Sequence, residues 1–120
     1  MSEVDSIEPA GIFAEIDAQP PLMRDQLASA YIGREVYWAL VFANGREDRP
    51  GEAWLMFRYN PHHVRMITGI ASLSDYPSLR SLRSGETVLV RGRIRKIDVL
   101  LSIELEIQDI VFSKTAEVAH

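Results

Sequence analysis

The side chains best suited to binding are arginines and aromatics set in alternating stretches. Trp54, Met56 and Arg58 of EAWLMFRY share one side of an extended chain, because strand side chains alternate with period two. Tyr59 closes that stretch, Arg65 opens the next, Arg46 and Arg49 belong to the polar segment NGREDRPG before it, and Tyr37 falls on the outward side of EVYWALVF. Rings flanked by guanidinium groups make a platform on which nucleotide bases stack while phosphates are neutralised. A second group lies further on. Arg91, Arg93 and Arg95 alternate with Val90, Gly92 and Ile94, and Glu104, Glu106 and Gln108 alternate with Ile103, Leu105 and Ile107. A hairpin centred near residues 99–100 sets Arg95 opposite Glu104, Arg93 opposite Glu106 and Arg91 opposite Gln108, a ladder that largely neutralises itself. Only Arg91 then keeps a charge for a ligand. The candidate nucleic-acid-binding set is Tyr37, Arg46, Arg49, Trp54, Arg58, Tyr59, Arg65 and Arg91.

Catalytic chemistry finds little support. The chain has no cysteine, so thiolate nucleophiles, disulfides and cysteine zinc sites are excluded together. It has no Gly-x-Ser-x-Gly, His-Glu-x-x-His or phosphate-loop string. His62 and His63 are adjacent, diverge on an extended backbone and lack a third ligand nearby in sequence, so they read as a solvated loop. Asp75 and Glu86 read as ordinary cap or turn carboxylates. The expectation is a non-enzyme with no cofactor and no metal. Charge adds a qualification: the net −4 and pI near 5.3 disfavour a protein that coats nucleic acid. Residues 1–20, with Glu3, Asp5, Glu8, Glu15 and Asp17 and no basic residue, hold −5, which leaves the body at +1. That acidic segment is able to lie over the arginines and compete with phosphate.

The elements that must position these residues follow from periodicity. At 120 residues the chain is one domain, and its longest apolar run, Val36 to Ala43, is far short of the roughly 20 residues of a bilayer span. No basic start followed by an apolar stretch marks a signal peptide, and a cysteine-free chain suits the cytoplasm. Ile12, Phe13 and Ile16 have the spacing of a short helical turn ending before Pro20. Leu22, Met23, Leu27, Ala30 and Tyr31 predict a helix over 21–31, stopped by Gly33. Period two then predicts strands over 35–42, 52–59, 64–71, 87–97 and 103–112. A polar loop falls at 44–51, a short helix at 76–82 and a tight connection at 98–101. Val36, Trp38, Leu40 and Phe42 form one core face. Strand 52–59 is apolar on both sides, so either Ala53, Leu55, Phe57 and Tyr59 or Trp54 and Met56 face inward. Its outer side calls for a cover, with segment 12–31 or a second copy as the choices. The domain plan is an acidic, largely flexible segment 1–19, a folded domain 20–112 and a flexible tail 113–120.

Five strands with a helix between the third and fourth is the order of an OB-fold, an all-β Greek-key barrel. The stretches PPLMRDQLASAYIG with EVYW, YPSLRSL, and GETVLVRGRIRKID with IELEIQDIVF resemble small bacterial OB-fold domains grouped with anticodon-binding-like nucleic-acid-binding folds, over about residues 20–112. The resemblance implies a barrel and leaves its ligand open. Two functions are carried forward. One is a non-catalytic module that binds single-stranded DNA or RNA. The other is a protein-interaction or oligomerisation module that docks a partner chain or second copy through the apolar strand 52–59 and the N-terminal helix. Neither involves a membrane.

Overall fold

The computed structural model describes residues 7–59 and 65–112. Readings that fall on residues 1–6, His62, His63 or the tail 113–120 lie outside the described residues. The elements are α1 (Pro9–Asp17), a 3-10 turn (Pro21–Met23), α2 (Arg24–Ser29), β1 (Glu35–Arg49), β2 (Glu52–Arg58) and β3 (Met66–Ser72). A 3-10 helix (Pro77–Ser81), β4 (Thr87–Asp98) and β5 (Ser102–Phe112) complete the order. The strands close into a barrel in the order β1-β2-β3-β5-β4. All pairs are antiparallel except β3 with β5, which is parallel. This is the five-stranded OB-like barrel expected from the element order.

Alternation builds the core. Val36, Trp38, Leu40 and Phe42 of β1 turn inward, and Ala53, Leu55 and Phe57 of β2 join them, with Ile67 and Ala71 of β3. Val88, Val90 and Ile94 of β4 and Ile103 and Leu105 of β5 complete the wall. Each buried Val, Leu, Ile or Phe side chain among these contributes about 1.5–3 kcal/mol by leaving water. At Gly92 a Cβ would lie 2.8 Å from the Glu106 carbonyl oxygen, so only glycine lets β4 approach β5 this closely beside its bulge.

The N-terminal region differs from its sequence reading. The segment expected to be largely flexible to residue 19 contains α1, whose Ile12, Phe13 and Ile16 are buried in the same core as the barrel. It plugs the end where β1 begins and β2 finishes, rather than lying over the outer face of β2. Three polar contacts seat it there. Trp38 Nε1 donates to the Ile7 carbonyl at 2.8 Å, Tyr31 Oη donates to Glu15 Oε2 at 2.5 Å, and Arg65 donates twice to the Asp17 carboxylate at 2.7 and 2.8 Å. The single helix expected over 21–31 is a 3-10 turn followed by the six-residue α2. Met23 N–H bonds the Pro20 carbonyl, and the changed winding leaves Leu22 96% exposed while Ala28 and Tyr31 are buried.

The polar stretch 44–51 is also corrected. It is not a loop. After a bulge at Ala43, β1 continues, pairing Asn44 with Met56, Gly45 with Leu55, Arg46 with Trp54 and Glu47 with Ala53. The chain reverses only at Pro50-Gly51, where Gly51 takes φ +81°. Backbone pairing needs no apolar side chain from β1, because β2 supplies the inward-facing partners.

Candidate nucleic-acid interface

The long β1–β2 arm brings Arg46 and Trp54 together. They are direct cross-strand partners, and Trp54 in turn faces Ile70 of β3, which faces Glu106 of β5. Because Ala53, Leu55 and Phe57 are buried, Trp54, Met56 and Arg58 take the outer side, which resolves the two-sided reading of this strand. The Arg46 guanidinium carbon sits 5.0 Å from the Trp54 ring centroid, and Arg46 Nε lies 3.8 Å from Asp48 Oδ1. Such a cation–ring contact at a solvated site contributes about 0.5–1 kcal/mol. Arg49 and Arg58 are exposed, and neither reaches a carboxylate among the described residues. Arg46, Arg49, Trp54 and Arg58 therefore form one outward patch.

Tyr59 and Arg65 are held elsewhere. Both pack against α1, Tyr59 with its ring stacked on Phe13 at 5.7 Å and Arg65 with its guanidinium carbon 4.8 Å from the same ring. Burial raises the Tyr59 phenol pKa, with Arg65 pulling it down and Asp17 pushing it up. The hydrogen bonds to Asp17 raise that of Arg65 despite some desolvation. These two side chains fasten the helix to the barrel end.

Tyr37 and Arg91 occupy a third position, facing one another across β1 and β4. Tyr37 is exposed. Arg91 was expected opposite the neutral Gln108, but a bulge between Arg91 and Gly92 moves it opposite Asp109. Its Nη2 also lies 3.4 Å from Glu35 Oε2, while Arg93 Nη2 lies 3.4 Å from Glu35 Oε1. The charge expected to be uncompensated is thus matched by Glu35, the residue that sequence reasoning missed. A second bulge between Ile94 and Lys96 takes Arg95 out of the ladder, so Lys96 pairs with Glu104. Arg95 Nε still reaches Glu104 Oε2 at 3.5 Å, and Arg93 opposes Glu106 as expected.

Beside the Arg46–Trp54 patch lies a cleft of about 410 Å³ between the β1–β2 arm and the β4–β5 side, lined by Asp48, Arg49, Glu52, Ile70, Arg95 and Glu104, with Leu105 and Glu106. Its carboxylates, Asp48 and Glu52 of the β1–β2 arm and Glu104 and Glu106 of β5, outnumber the guanidiniums of Arg49 and Arg95, so the cleft is net anionic where it borders the Arg46–Trp54 patch. Among the described residues no group of three or more His, Asp or Glu is placed to hold a metal ion, and no helix is long and apolar enough to cross a membrane.

Comparison with known proteins finds no matching family model and no matching curated protein. Among solved structures the chain is similar to a Klebsiella pneumoniae protein described as a "putative nucleic acid-binding lipoprotein". The two are 11% identical with a TM-score of 0.60, over 88% of this chain and 92% of that one. At that identity the likeness is one of fold, an OB-like barrel shared over nearly the whole of both chains.

Proposed function

We propose that this chain is a non-catalytic OB-like module that binds single-stranded nucleic acid along the β1–β2 side of its barrel. The observation that carries this reading is the stack of exposed Arg46 on half-exposed Trp54, with Arg49 and Arg58 alongside. A base stacks on the indole, and the flanking phosphates meet the arginines. The name of the structural neighbour points the same way. The acidic cleft confines the strand: its phosphates follow β1–β2 and keep clear of Glu104 and Glu106.

The test is fluorescence anisotropy of labelled single-stranded 20-mers, DNA and RNA, titrated with the full chain over a salt series. Binding that weakens steeply with salt supports the module. A second reading, docking of a partner chain or second copy, rests on the exposed Ile70 beside Trp54 and on Leu22 and Met23. Its helix component, segment 21–31, is narrowed to Leu22 and Met23, because Ala28 and Tyr31 are consumed in the chain's own core. Association that is indifferent to salt and is seen with protein but not with oligonucleotide would replace the first reading with the second.

A further inference from the structure

The two barrel ends are closed unequally. α1 seals one with three fully buried side chains, whereas the other receives only the five-residue 3-10 helix Pro77–Ser81, with Leu79 buried and Leu82 half-buried. The shortfall leaves an open cavity of about 360 Å³ between that helix and the overhanging β1–β2 arm. This is the size of a small-ligand site, and barrel mouths are a usual place for one. The floor is apolar, made by Phe42, Leu55, Leu73 and Leu79. A Cβ at Gly45 would come within 3.1 Å of Phe42 Cζ and 3.2 Å of Leu55 Cδ2, so glycine keeps this wall thin.

The rim has a definite polarity. Its side-chain acceptors are partly engaged: Asn44 Oδ1 accepts the Gly45 N–H at 2.8 Å, and Glu47 accepts the Gly51 N–H at 2.9 Å with its other oxygen 3.6 Å from Arg80 Nη1. The Ser84 hydroxyl donates to the Ala43 carbonyl at 2.6 Å. What the rim offers an anion is the Asn44 amide N–H groups, the Arg46 guanidinium and most of the Arg80 guanidinium, whose contact with Glu47 is long and solvated. An apolar floor under a rim that sets two guanidiniums against one carboxylate favours an apolar body with an anionic head. We propose that the barrel mouth binds a compact apolar carboxylate, with its ring or branched chain against Phe42 and Leu55 and its carboxylate on Arg80. The site touches the β1–β2 outer patch at Arg46, but its apolar floor and Arg80 lie outside that patch.

The experiment is a two-dimensional amide NMR titration of the full chain with phenylacetate, phenylacetamide and phenethylamine, one ring carrying an anionic, a neutral and a cationic head. Phenylacetate is expected to shift the amides of Gly45, Leu55, Leu79 and Ser84 and to bind about tenfold more tightly than the amide. Arg80→Gln, a change at an exposed position, brings phenylacetate down to the affinity of the amide. Leu79→Trp fills the mouth and removes both. Shifts spread elsewhere, an amine that binds as well as the acid, or an Arg80→Gln variant with unchanged preference would overturn the proposal.

Discussion

Removing the Trp54 ring separates stacking from charge. Trp54 stands half-exposed on the outer wall, and its ring contacts include the Arg46 cation 5.0 Å away. Trp54→Ala deletes the stacking surface and leaves Arg46, Arg49 and Arg58 in place. Loss of one base–aromatic stack costs about 1–3 kcal/mol, which weakens binding about 5- to 150-fold. The three guanidiniums set the electrostatic part: for a single strand the slope of log K against log salt is about −0.7 per neutralised phosphate, or about −2 for this patch. Wild type should therefore lose about 20-fold in affinity over a fourfold rise in salt. Trp54→Ala keeps that slope at lower affinity. Arg58→Gln does the reverse, flattening the slope by about 0.7 with a modest loss at low salt. Anisotropy of a labelled 20-mer at four salt concentrations reads both quantities, and the thermal midpoint of each variant checks that the barrel is intact. A folded Trp54→Ala protein that binds within twofold of wild type at every salt concentration would refute the stacking platform. An unchanged slope for Arg58→Gln would remove Arg58 from the phosphate path.

Three further outcomes are expected. Glu104→Gln with Glu106→Gln removes two negative charges from the neighbouring cleft, and at the dielectric of a solvated face this tightens oligonucleotide binding about two- to fourfold at low salt; no change would show that the strand runs elsewhere. Asp17→Asn breaks the bidentate bond to Arg65 and should lower stability by about 1 kcal/mol, seen as a thermal midpoint reduced by roughly 4–8 °C; an unmoved midpoint would mean the contact does not hold α1. The Tyr59 phenol, raised chiefly by burial, keeps its proton longer in the folded chain than in the unfolded one. Its contribution is complete below the unfolded value of about 10 and is lost as pH rises through the folded value. Tyr59→Phe retains the stack on Phe13 and should flatten the alkaline fall in urea midpoint, and Tyr76, raised by burial and by Asp109, acts in the same direction; a slope equal to that of wild type would count against this.

The barrel was legible because its strands carry period two on at least one side and are separated by Pro, Gly and Asn. Where local pattern and global pairing diverged, the reading failed in identifiable ways. NGREDR looks like a loop because none of its side chains is apolar, yet β2 holds its backbone in register. EAWLMFRY is apolar on both faces, so only closure against β1 and β3 decides that Trp54 is outside. The Arg91 partner Glu35 is 56 residues away, and the Arg65 partner Asp17 is 48 residues away. Distances of that kind follow from which strands become neighbours, and the alternation of a single strand does not contain them. Two bulges moved the β4–β5 ladder off its expected pairing at Arg91 and Arg95 while Arg93 and Glu106 kept it.

The seating of α1 has a consequence for the order in which the protein is made. The helix is synthesised before the groups that receive it, Trp38, Tyr59 and Arg65, and before β5, which closes the wall between β3 and β4. During synthesis Ile12, Phe13 and Ile16 therefore wait without their cavity, and the cork of the barrel, made first, is fitted only when the vessel exists.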